Sequence, residues 1–157
     1  MLTQLSTRRE DGNQDLVDLL GECHQRIRRF IDLARRAASQ PDAPRDQVAQ
    51  ACADVERYFV EALPLHVADE EESIEPRLRG LSPSVDLALD AMAQQHREHA
   101  SKLEALLRAT VRVRREPHDE RARGELATAT IALETEFEGH LALEENTIFP
   151  AIRELLS

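Results

Sequence analysis

Leu89, Met92, His96, His99, Leu103, Leu106, Thr110 and Val113 follow one another in steps of three and four without a fault. That spacing places them on one face of a helix, and a face so largely apolar must be buried against a neighbour. The same rhythm recurs in three other segments. Residues 13–39 carry Leu16, Leu20, Cys23, His24, Ile27, Ile31 and Ala34, and residues 45–75 carry Val48, Cys52, Val55, Phe59, Leu63, His66 and Glu70. Residues 120–148 carry Leu126, Thr130, Leu133, Phe137, His140, Leu141, Glu144 and Ile148.

Turn signals separate the four stripes. "SQPDAPRD" ends the first, "RGLSPS" the second and "EPHDERARG" the third. Pro64 falls inside the second segment and predicts a kink or break just before His66. Ser82-Pro83 reads as a helix cap with proline in the first helical position. Pro150 stops or kinks the fourth segment, leaving the apolar tail "AIRELL" to pack across one end. Four long helices on short connections predict an all-α, antiparallel up-down-up-down four-helix bundle. Residues 1–12 read as a flexible polar lead, and residues 13–157 as one domain.

The formal charge of −10 disfavours nucleic acid, which needs a basic footprint. Arginines cluster at 26–36 and 108–115, but at helical spacing among apolar residues, as on a solvated helix face. No apolar run approaches the ~20 residues of a membrane span, and "MLTQLSTRREDGNQ" lacks the apolar core of a secretory signal. Cys23 and Cys52 are too few for a disulfide framework and read as free buried thiols. A cytoplasmic setting is expected, as a monomer or homodimer with no membrane or nucleic-acid partner.

Five of the six histidines, His24, His66, His96, His99 and His140, fall on the apolar stripes, and only His118 sits in a connection. One histidine on such a face is usually an ordinary core residue with a single hydrogen-bond partner. Five, with at least one on every helix, would cost on the order of a few kcal/mol each if left uncompensated. A bound cation would satisfy them together.

The carboxylates sharpen this. "HVADEEESIEP" at 66–76 and "HLALEENTIFP" at 140–150 agree at six positions across an offset of 74 residues. His66 and Glu70, like His140 and Glu144, are four apart and so project from one helix face a turn apart. Glu71, Glu72 and Glu145 read instead as an acidic patch at a helix end, with only the first glutamate of each tandem pair facing inward. The frames around His24 and His96 also match, so the chain reads as two copies of one helical hairpin. His99 stands where Ile27 does in the first copy and breaks the symmetry. Tyr58, two turns before His66, could be a redox partner but is best read as core.

Four histidines and two glutamates, with His99 as a further imidazole, exceed the needs of one four-coordinate zinc. Imidazole with carboxylate suits iron, manganese, zinc or copper. Two ions bridged by two carboxylates would use every donor. The His99 asymmetry would leave one ion nearer saturation and the other with an open position for O2, NO, peroxide or azide.

A His, an HxxxE, a His and a second HxxxE on four successive helices resemble the hemerythrin-like superfamily, in particular its HHE cation-binding branch. The resemblance covers residues 13–156 and rests on "ECHQRI", "HVADEEESI", "QHREH" and "HLALEENTIFP". It implies an antiparallel four-helix bundle around two non-heme iron ions with an oxo or hydroxo bridge; manganese and zinc stay open. By motif position the implied ligands are His24, His66, Glu70, His96, His140 and Glu144, with His96 and His99 both open on the third helix. Oxygen-carrying hemerythrins have the second histidine of the third helix four residues on and an aspartate five after the last-helix histidine. Here His99 is three after His96, and Glu144 stands at +4. These departures point away from reversible O2 carriage. They favour an HHE protein that binds or reduces a small oxidant (O2, NO or H2O2), with peroxide- or NO-reducing activity or a sensor and iron-donor role as the alternatives.

Overall fold

Three prolines shape the helices. The structure, a computed structural model, describes the backbone of residues 13–156 and the side chains of 16–156. The expected lead over residues 1–12 lies outside the described residues. Helix α1 spans Asn13–Ser39 and α2 spans Arg45–Arg57. A π-turn at Tyr58–Ala62 leads into α3 (Leu63–Asp69), and a second at Glu70–Ile74 leads into α4 (Glu75–Leu78). Helix α5 spans Pro83–Arg115 and α6 spans Glu120–Leu143; a third π-turn, Glu144–Ile148, leads into α7 (Phe149–Leu155).

Pro64, Pro76 and Pro150 each stand second in the helix that follows a π-turn. A proline has no N–H to give to the carbonyl four residues back, and its ring collides with that carbonyl. The chain widens the turn instead. Leu63, Glu75 and Phe149 each donate their N–H to a carbonyl five residues back, on Tyr58, Glu70 and Glu144. The expected break before His66 is therefore a bulge through which the helix continues, as far as Leu78. Beyond Pro150 the tail is helical in the same way. Ser82 precedes Pro83 as expected, yet its side chain caps nothing; its Oγ lies 3.1 Å from that of Ser84. Asp86 instead accepts the N–H of Gly80, whose φ of 88° ends the second stretch.

The four helical stretches pack as a bundle, with no strand among the described residues. Helix α1 lies against α2 and α6, and α5 lies against the same two, which closes the ring of neighbours. Every stripe read from the sequence turns inward. The apolar interior divides in two. One cluster includes Ile27, Phe59, Leu63, Leu106, Leu133 and Phe137; the other includes Leu20, Ile74, Met92, Ile148, Phe149 and Ile152. The stripe histidines lie between these clusters in sequence on every helix, so the polar belt has apolar packing on both sides. Cys23 and Cys52 are buried and unbridged, and burial, aided by the charge of Glu56, pushes the Cys52 thiol up to about 11. No described helix is long and apolar enough to cross a membrane.

Candidate metal centre

Two of the π-turns begin at Glu70 and Glu144, the carboxylates of the two HxxxE arms. Each arm first runs one ordinary α-helical turn from histidine to glutamate, which sets both side chains on the core face. The backbone then widens so that Pro76 or Pro150 can follow. His24 is fully buried, and His66, Glu70, His140 and Glu144 are each no more than 3% exposed. The His96 side chain is 5% exposed.

These side chains form two groups whose donor atoms lie within 4.8 Å of one another: Glu70, His96, His140 and Glu144 in one, His24, His66 and Glu144 in the other. Glu144 belongs to both, and its two oxygens are divided between them. Oε1 lies 2.7 Å from His140 Nε2, and Oε2 lies 2.7 Å from His24 Nε2. Glu70 Oε1 sits 2.6 Å from His66 Nε2 and 3.9 Å from His96 Nε2.

Several of these short approaches are not hydrogen bonds. His66 Nε2, His96 Nε2, Glu70 Oε1 and Glu144 Oε1 are buried without a hydrogen-bond partner among the described residues. Orphaned polar atoms of this kind cost ~1–3 kcal/mol each, and here they converge on one another. Lone pairs aimed at a shared point are what a cation would satisfy. The donor chemistry, imidazole with carboxylate and no thiolate, fits iron, manganese or zinc.

The opposite faces of the rings complete the picture. His24 Nδ1 lies 3.1 Å from Glu145 Oε1, His96 Nδ1 lies 2.8 Å from Glu71 Oε1, and His140 Nδ1 lies 2.7 Å from Gln95 Oε1. An Nδ1–H donated outward leaves Nε2 as the lone-pair nitrogen facing the centre. Only the first glutamate of each pair is buried, as expected, but Glu71 and Glu145 reach the outward nitrogens of His96 and His24 and are thus more than an acidic patch. Glu72 is exposed, as that expectation had it. The missed signal was the repeat itself, which keeps both glutamates in both arms.

Electrostatics separates the two inner carboxylates. Burial, together with the nearby charge of Glu144, pushes the Glu70 carboxyl well above its usual range. Burial would raise Glu144 too, but the close approach of Glu70, His140 and His24 to its carboxylate holds it well below. Burial lowers His96, partly offset by its bond to Glu71.

His99 joins neither donor group. It is buried at 4% exposure, stacks on Phe137 at 4.3 Å between ring centroids, and stands 4.9 Å from the His140 ring and 6.4 Å from that of His96. Burial, with His140 and His96 nearby, lowers it to about 4, so it is neutral in the folded protein. A depressed folded value gives stability that is present above the unfolded pKa of about 6.5 and is lost as pH falls through about 4. His99→Leu should therefore shrink the loss of stability of metal-free protein between pH 7 and 4.5 by roughly 1–2 kcal/mol, discounted for partial solvation. Urea unfolding at the two pH values measures this, and an unchanged difference would contradict it. His118 is exposed. Tyr58 is buried, stacked on Phe30 at 4.2 Å and edge-on to Phe59 at 5.1 Å, as expected for a core residue.

Comparison with known proteins agrees with the site. A Haemophilus influenzae protein bearing the description "Uncharacterized protein" is 29% identical over 149 residues, covering 90% of this chain and 80% of its own length. No solved structure matches the chain significantly. The profile of the hemerythrin family, described as the Hemerythrin HHE cation binding domain, matches residues 15–152. With the matching span, the helical bundle and the paired His–Glu arms in agreement, the chain belongs to the hemerythrin HHE cation-binding family.

Proposed function

We propose that the chain is a cytoplasmic non-heme di-iron protein that binds or reduces a small oxidant, O2, NO or H2O2, in an up-down-up-down bundle. The observation that carries this is the division of Glu144, one oxygen toward His140 and the other toward His24, between two donor groups. His24, His66, Glu70, His96, His140 and Glu144 would hold the metals. Iron in such a site supplies one-electron redox chemistry and a coordination position for a diatomic ligand or peroxide. An ion held by the three-donor group would have fewer protein ligands than one held by the four-donor group, and so more room for that outside ligand.

The chain's own residues set the surroundings. Phe149 covers the His24 ring at 5.0 Å and Phe137 covers His99, which limits water at the centre. Burial favours the protonated Glu70 carboxyl, whereas a bound cation would favour the carboxylate, so metal uptake would release protons. The test is anaerobic loading with ferrous iron, a metal count, and exposure to O2, NO and H2O2 with the visible spectrum recorded. About two irons per chain and a spectral response to at least one oxidant are expected. Fewer than one iron per chain, or no response to any of the three, would sink the proposal. Sustained peroxide loss would make the protein an enzyme; consumption that stops at one equivalent would make it a sensor or iron donor.

A further inference from the structure

We propose that Glu71 and Glu145 are positioning residues, each holding the metal-facing histidine supplied by the other half of the chain. This rests on the metal reading above and extends it to side chains outside the donor groups. Glu71 follows the first HxxxE arm and reaches His96 at the start of the second half. Glu145 follows the second arm and reaches His24 in the first half. The two contacts correspond in the internal repeat: Glu145 is 74 residues after Glu71, and His96 is 72 residues after His24. The exchange is reciprocal.

Each contact pairs a carboxylate with the Nδ1–H of a buried imidazole. Such a bond sets the ring's orientation and tautomer, aims Nε2 inward and makes it more basic. The partners are graded around the centre. His24 and His96 have carboxylates, His140 has the neutral amide of Gln95, and His66 Nδ1 has no hydrogen-bond partner among the described residues. The carboxylates also differ. Arg28 Nη1 lies 2.9 Å from Glu145 Oε1 and its other nitrogen 3.1 Å from Oε2, which clamps the side chain and draws off part of its charge. Glu71 has no guanidinium partner among the described residues, so its charge falls less divided on His96.

His24 belongs to the three-donor group alone, and His96 to the four-donor group alone. Loss of Glu145 should therefore weaken one metal position and loss of Glu71 the other. A general loss of folding would not split in that way.

The experiment titrates the chelator-treated 157-residue chain with Co2+, following heat and the visible ligand-field bands. Wild type should bind about two equivalents. Glu145→Ala should weaken one step by roughly 10–100-fold and leave the other in place, while Glu71→Ala weakens the complementary step by a similar factor. Glu145→Gln, which keeps an acceptor for Nδ1–H, should recover part of the loss and guards against a folding defect in the alanine variant. Glu72→Ala, which removes an exposed charge from the same run, should titrate as wild type. Titrations of Glu71→Ala and Glu145→Ala that match wild type, or losses shared equally by Glu72→Ala, would overturn the inference while leaving the metal reading intact. Failure of wild type to bind Co2+ would remove both.

Discussion

Glu144→Ala should empty both metal positions at once, whereas His118→Ala should leave metal content unchanged. Glu144 is the one residue common to the two donor groups. Removing it deprives each of an anionic ligand and should weaken each by more than the ~100-fold at the upper end for an outer partner. His66→Ala should fall between, because it touches the three-donor group only. The alanine variant also leaves His24 and His140 short of a partner, at a cost of ~1–3 kcal/mol that the bundle can bear. Glu144→Gln, of nearly the same shape, separates lost charge from lost packing. Metal analysis after desalting, beside circular dichroism, reads the result. Equal metal content in the Glu144, His66 and His118 variants would contradict the assignment.

Removal of metal should lower the melting temperature by about 10 °C. A ligand that binds only the folded state at about a thousand times its dissociation constant adds ~4 kcal/mol, and each kcal/mol is worth ~2–4 °C in a chain of this size. The physical source is visible at the centre: orphaned nitrogens and oxygens at His66, His96, Glu70 and Glu144 would find partners in the bound cations. A cation binds carboxylate and neutral imidazole, and burial favours the protonated Glu70 carboxyl, so the gain should shrink as the pH is lowered. Melting with excess metal and with chelator, from pH 6 to 8, checks both statements. A melting temperature indifferent to chelator would show that no cation stabilises this fold.

The bundle was readable because its signal is local. From Leu89 to Val113 and from Leu126 to Ile148, the faces marked by the 3/4 rhythm are the faces the fold buries. The His66–Glu70 and His140–Glu144 pairs were readable for the same reason, since residues four apart on a helix share a face. Pro64 was marked as a disturbance, but its form was not foreseen. Whether a helix breaks, kinks or widens depends on how firmly its two sides are held, and Leu63 and Phe59 in the core hold this one. Glu71 and Glu145 were misjudged because they are partly exposed and polar, which in a helix end ordinarily means solvent. Their partners lie 25 and 121 residues away, beyond any helical periodicity.

The sequence by itself determined the four helices, the inward faces, the internal repeat and seven residue positions able to offer donors to a cation, because helix geometry turns spacing along the chain directly into direction in space. Only the tertiary structure decided how those donors group, that Glu144 serves both groups while His99 joins neither, and that each half of the chain braces a histidine of the other. Those outcomes depend on ångström-scale distances between helices, and side-chain packing across the bundle sets them rather than periodicity within any one helix.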